Sequence, residues 1–199
     1  MEMPPLTVAI LAGGRASRLG GRDKGLERLA GRPLIEWVVQ ASRQMGAALP
    51  LLIIANRHRQ AYAAYAPTLR DSLPGFAGPL AGIATALAGA ATPWLLTLPV
   101  DCPTPPADLA ARLVSATSGG DGPAWVAHDG ERRQPLFALY RTQLAASAER
   151  AAQSGQGVWQ WQDAIDAREL DFSDRQAQFR NLNTAGDFLA HADTPRSTP

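Results

Sequence analysis

The stretch Leu6-Thr7-Val8-Ala9-Ile10-Leu11-Ala12-Gly13-Gly14-Arg15-Ala16-Ser17-Arg18-Leu19-Gly20-Gly21-Arg22-Asp23-Lys24 decides the fold. Its first part, residues 6–11, is an apolar run bounded by Pro5 and by Gly13-Gly14, which predicts a buried strand. A loop follows directly to about Gly25, at the carboxyl edge where open α/β sheets bind ligands. Paired glycines there let backbone approach a ligand with no Cβ in the way. Arg15, Arg18, Arg22 and Lys24 face a single acid, Asp23, a composition suited to several phosphates. The plainer reading, a solvated basic loop with turn glycines, is weakened by the convergence of glycines and cations at one strand end. Two rival phosphate motifs fail on spacing. Lys24 is preceded by Asp23 and followed by Gly25, unlike a Walker loop, and no G-x-G-x-x-G dinucleotide fingerprint is present. An NAD-dependent oxidoreductase is disfavoured accordingly.

Working outward, Pro33 suits a first helical position, and Leu34, Ile35, Trp37, Val38 and Ala41 recur at helical spacing up to Gly46. Pro50 opens a second buried strand over 51–55. A short helix is expected over 60–66, a brief strand over 69–71 and turns over 71–79. Residues 80–91 predict a helix of small residues lying close to the sheet, and 94–98 a third strand ending at Pro99-Val100-Asp101. Pro105 or Pro106 opens a helix to about Ala116, and 118–123 is a loop. Residues 124–127 and 135–140 predict antiparallel strands joined through Asp129-Gly130. The remainder reads as helical with a short strand near 169–171. This alternation predicts a Rossmann-like three-layer α/β/α architecture, mostly parallel with an antiparallel strand. With no repeat and no linker, one domain over 1–193 is expected, followed by a polar tail at 194–199.

Composition bounds the function. The 199 residues suffice for one α/β domain, and 46% hydrophobic with 19% charged residues marks a globular chain. A net charge of +1 provides no global field toward nucleic acid or membrane, so an anion site must be local. Cys102 is the single cysteine, which excludes an intrachain disulfide and a cysteine-built zinc site and fits a reducing compartment. The N-terminus lacks a basic n-region, and no segment reaches the roughly 20 apolar residues of a membrane span. A soluble, cytoplasmic protein is expected.

The run Leu11-Ala12-Gly13-Gly14 … Arg18-Leu19-Gly20 … Lys24 resembles the signature of sugar-1-phosphate and related nucleotidyltransferases. Later segments narrow it: Gly31-Arg32-Pro33-Leu34, Ala55-Asn56-Arg57-His58, Asp71-Ser72-Leu73, Gly78-Pro79-Leu80-Ala81-Gly82, Asp101-Cys102-Pro103, His128-Asp129-Gly130-Glu131-Arg132 and Asn181-Leu182-Asn183-Thr184. In common order, these resemble the molybdenum cofactor guanylyltransferases over nearly the whole chain. The resemblance implies a nucleotide-diphospho-sugar transferase type of fold. It also implies a reaction in which the terminal phosphate of molybdopterin attacks the α-phosphorus of GTP. By position, Leu11, Ala12, Gly13 and Gly14 would lie along the nucleotide and Lys24 on its phosphates, with Asn56 and Asp71 also contacting GTP. Asp101 would bind nucleotide and magnesium, and Asn181 and Asn183 would lie toward molybdopterin. Transient contacts with molybdenum-insertion proteins and molybdoenzyme chaperones are implied, and a monomer is expected. The chain departs from the family at Ile54, where an asparagine is common, leaving guanine selection to backbone groups or to Asn56.

The residues support this chemistry independently. Asp101 ends a buried strand, and magnesium is typically held by one or two carboxylates plus substrate phosphates. The alternatives are a turn or capping aspartate at Asp101, and a turn-starting Asp71 before Pro74-Gly75. A phosphate nucleophile has a second pKa of about 6 and needs no general base. Alignment and charge neutralisation would come from Lys24, Arg18 and the Asp101-bound magnesium. His58, His128 and His191 lack metal-ligand spacing, and the tryptophans read first as core, Trp159 and Trp161 least securely. A CTP-using relative and a non-catalytic nucleotide or cofactor carrier are the competing functions.

Overall fold

A computed structural model of the chain describes residues 4–12, 23–46, 48–73, 78–182 and 187. The first half runs β1 (Leu6–Leu11), β2 (Arg28–Leu29), β3 (Arg32–Pro33), α1 (Leu34–Met45), β4 (Leu51–Ile54), α2 (Arg59–Ala63) and β5 (Thr68–Leu69). The second half runs α3 (Pro79–Gly89), β6 (Trp94–Pro99), α4 (Leu109–Thr117), β7 (Ala124–His128), β8 (Arg133–Arg141), α5 (Ala145–Gln153), α6 (Val158–Ala164) and β9 (Arg168–Asp171).

Seven strands among the described residues form one sheet in the order β5-β4-β1-β6-β8-β7-β9. β1 pairs in parallel with β4 on one side and β6 on the other, and β4 pairs in parallel with β5. β8 is the reversed strand, antiparallel to both β6 and β7, while β9 is parallel to β7. The architecture is therefore the mostly parallel sheet with one antiparallel strand that the sequence predicted.

Strand alternation sends side chains to two cores. Leu6, Val8 and Ile10 of β1, with Leu96 and Leu98 of β6, join Ile35, Val38, Leu109 and Leu113 from α1 and α4. Ala9, Leu11 and Leu95 face the other way, into a core built with α3, α5 and α6. Both faces of the central strands are covered, which is why they read as continuous apolar runs. The alanines of α3 let it pack closely on α5.

Several boundaries differ from the sequence reading. Pro33 pairs in β3 and α1 starts at Leu34, because residues 28–33 form a hairpin that the sequence did not announce. Its two-residue turn holds Ala30 at φ 49° and Gly31 at φ 81°, left-handed at both central positions, and alanine is a poor signal for such a turn. Helix α4 begins at Leu109 rather than at Pro105 or Pro106. Residues before proline resist the helical region, so Pro103-Thr104-Pro105-Pro106 delays its start. No helix among the described residues is long and apolar enough to cross a membrane. The 194–199 tail lies outside the described residues.

Candidate active site

Strand order reverses about β1, and crevices open at the carboxyl ends of strands flanking such a point. The backbone carries Leu11 and Ala12 out of β1 between its two neighbours. Ala12 N donates to Ile54 O (2.9 Å), and Val100 N donates to Leu11 O (3.2 Å). The segments after β4, β5 and β6 therefore emerge beside it, bringing Asn56, Asp71 and Asp101 to one sheet edge.

Lys24 reaches the same edge. Its Nζ donates to Asp101 Oδ2 at 2.7 Å, and the two side chains are 23% and 22% exposed. Residues 77 positions apart in sequence thus form one charged pair, open enough to engage a ligand. The other carboxylate oxygen, Asp101 Oδ1, is buried and has no hydrogen-bond partner. An unsatisfied buried carboxylate oxygen is costly unless something completes it.

Lys24 is held by a brace that the sequence did not reveal. Asp23 caps the short turn over Lys24–Leu26, its Oδ1 accepting from Gly25 N (3.2 Å) and from the hydroxyl of buried Tyr62. Burial, reinforced by the Asp23 bond, pushes the Tyr62 phenol far above its ordinary pKa, so it stays a donor. A Cβ on Gly25 would collide with that hydroxyl and meet Val100 Cγ2 at 3.0 Å, so only glycine fits. The signal was available only as a lone tyrosine in a short helix.

A second carboxylate stands at the adjacent strand ends. Asn56 Nδ2 donates to Asp71 Oδ2 (2.7 Å), and Asp71 N donates back to Asn56 Oδ1 (3.1 Å). Both ends of the Asn56 amide are engaged, so it orients Asp71. Asp71 Oδ1 is buried without a partner near Leu11, Ile54 and Gly82. Burial raises the Asp71 carboxyl pKa, outweighing the Asn56 bond and the charge of Arg70. Ile54 is itself buried in the core and offers no polar group to this edge.

Leu182 N donates to Asp101 O (2.8 Å), which brings Asn181 alongside this edge with a buried, unpartnered Oδ1. Cys102 is a buried neighbour of Asp101, its thiol directed to Gln178 O (3.1 Å) and its pKa raised by burial. Gly13, Gly14, Arg18 and Asn183 lie outside the described residues. The structure thus places Lys24 with Asp101 and Asn56 with Asp71, beside Leu11 and Ala12. No group of three or more His, Cys, Asp or Glu residues suited to a metal occurs among the described residues. Trp94, Trp125 and Trp161 are core residues, whereas Trp159 is 47% exposed.

Comparison with known proteins identifies the family and the fold. Residues 8–169 match the family model of the MobA-like NTP transferase domain. The molybdenum cofactor guanylyltransferase of Serratia proteamaculans is 41% identical over 186 residues, 92% of each chain. That of Vibrio atlanticus is 40% identical, covering 88% of this chain and 89% of its own. Among solved structures, the molybdopterin-guanine dinucleotide biosynthesis protein A of Archaeoglobus fulgidus superposes with a TM-score of 0.76 at 23% identity, over 94% of this chain and 96% of that one. Rv0371c of Mycobacterium tuberculosis, solved in complex with manganese, shares the fold at a TM-score of 0.68 and 16% identity, over 97% of this chain and 100% of that one. With that family model matched over residues 8–169 and relatives at 40–41% identity over most of both chains, the chain belongs to the molybdenum cofactor guanylyltransferases, enzymes of the nucleotidyltransferase class.

Proposed function

We propose that this edge transfers GMP from GTP to the terminal phosphate of molybdopterin, forming molybdopterin guanine dinucleotide. An oxygen of the acceptor phosphate attacks the α-phosphorus, and the bond from that phosphorus to the bridging oxygen of pyrophosphate breaks. The acceptor is already largely ionised at neutral pH, so the protein need only align and neutralise charge. The carrying observation is the Lys24–Asp101 pair at the switch point, with one carboxylate oxygen left unpartnered. Lys24 offers a compact cation to the triphosphate. The free Asp101 oxygen fits a divalent cation that shares its remaining ligands with phosphates, and magnesium, when bound, supplies charge neutralisation for the departing pyrophosphate.

Asp71 supplies the base contact in this reading. Guanine presents an N–H and an NH₂ on one edge, and an oriented carboxylate oxygen accepts from them. Asn56 acts by holding that carboxylate. The side chain lost at Ile54 is thereby made unnecessary. Arg18, Gly13 and Gly14 would complete the phosphate cradle, and Asn183 the acceptor side. The test is pyrophosphate release with molybdopterin, magnesium and either GTP or CTP. GTP should be preferred by roughly tenfold or more, the worth of one good hydrogen bond to a charged group. Preference for CTP would defeat the assignment.

A further inference from the structure

The segment His128-Asp129-Gly130-Glu131-Arg132 turns the chain from β7 into β8. Asp129 is buried, and its carboxylate accepts from Glu131 N (2.9 Å), Arg132 N (2.8 Å) and Gln134 Nε2 (2.5 Å). Burial opposes its ionisation, but these donors hold the carboxyl below its ordinary pKa. A turn clamped in this way delivers Arg132 and Arg133 to one wall. Arg133 is then locked from across the sheet: its guanidinium donates to Asp163 (2.5 Å) and Glu169 (2.8 Å). It also lies 5.2 Å from the ring centre of Trp159. With its charge matched by two carboxylates, Arg133 serves as a rigid backing for the indole.

Trp159 is the exposed large apolar side chain among the described residues. Together with Arg132, Arg133, Pro99 and Asn181 it lines a cleft of about 260 Å³. Asn181, whose buried Oδ1 has no hydrogen-bond partner, lines the same wall. Pro99 lies two residues before Asp101, and the Leu182–Asp101 bond ties the Asn181 segment to the reaction centre. The cleft lies on the β8 side of β6, whereas Asn56 and Asp71 lie beyond β1 on the β4 and β5 side. The Lys24–Asp101 pair separates the two.

We infer that this cleft seats the fused heteroaromatic ring of the acceptor substrate, stacked on Trp159. Asn181 Oδ1 accepts an N–H from the ring, and Arg132 faces the acceptor's anionic groups. The inference rests on the guanylyl-transfer reading and adds to it the residues that recognise the acceptor. A backed indole suits any flat π-system, and such stacking is typically worth about a tenfold change in binding. The test is steady-state turnover of the full chain with GTP and molybdopterin in wild type, Trp159→Ala and Trp159→Phe. Trp159→Ala should raise the molybdopterin KM about tenfold with the GTP KM unchanged, and Trp159→Phe should recover most of the loss. Pterin-6-carboxylate should quench indole fluorescence in wild type and far less in Trp159→Phe. An unchanged molybdopterin KM in Trp159→Ala, a parallel rise in both KM values, or equal quenching in Trp159→Phe would overturn the inference while guanylyl transfer stood. Absence of product from GTP in wild type would instead defeat the functional reading, and the inference with it.

Discussion

Asp101 and Asp71 are both aspartates just past strands of one sheet edge, and each has one carboxylate oxygen engaged and one buried without a partner. Their partners differ. Asp101 faces the ammonium of Lys24, while Asp71 faces the neutral amide of Asn56. A cation beside a carboxylate builds a strongly charged centre that can organise phosphates. An amide fixes the orientation of a carboxylate but does little to offset its desolvation, and the Asp71 carboxyl pKa is accordingly raised by burial. In the proposed reading, the same residue type at two strand ends of one edge serves two tasks, charge handling at one and directional hydrogen bonding at the other.

The comparison breaks most visibly at Asp101. Asp101→Ala should lower kcat by two or more decades, with the melting temperature little changed, as expected for loss of one key electrostatic group. A carrier protein without catalysis would show no such dependence. Asp71→Asn should act on binding instead, raising the GTP KM roughly tenfold or more with a smaller effect on kcat. Because the folded-state pKa of Asp71 is raised, its ionised form costs stability. That cost is full above the raised value and disappears as pH falls through it toward the unfolded pKa. GTP affinity should therefore weaken on acidification at a higher pH than an ordinary aspartate would dictate, and thermal shift with GTP would record it. Asp71→Asn should abolish that dependence, and its persistence in the variant would assign it to another group. The smallest effect is expected at the brace. Tyr62→Phe removes one hydrogen bond to Asp23, costing about 1 kcal/mol in denaturant unfolding and a few-fold in kcat/KM through a less ordered Lys24.

Most of the charge-handling half was legible beforehand. Lys24 closes the glycine- and arginine-rich segment that leaves the first apolar run, Asp101 follows another, and parallel strands place such exits on one edge. The hydrogen-bonding half was only half visible. Asn56 and Asp71 could be named, but their mutual bond needed β4 and β5 to be neighbours, and nothing local to either residue states that. The Tyr62 brace and the Ala30-Gly31 turn escaped because their signals are a single phenol and an alanine in a conformation it rarely adopts. Trp159 and Trp161 show the limit most sharply: two residues apart on one helix, one is 47% exposed and the other 1%. A helix rotates by about 100° per residue, so their fates depend on which face meets the sheet.

By itself the sequence determined the layered α/β plan, the antiparallel pairing of the two strands around Asp129-Gly130 and the cationic, glycine-rich composition of the segment that follows the first strand. Each of these follows from periodicity and composition within short windows. Only the tertiary structure decided which strand ends became neighbours, which oxygens of Asp71, Asp101 and Asn181 were left unpartnered, and which tryptophan was backed by an arginine at the surface. These depend on contacts between residues tens of positions apart. Such contacts form only when packing fixes the sheet order, and no local pattern encodes them.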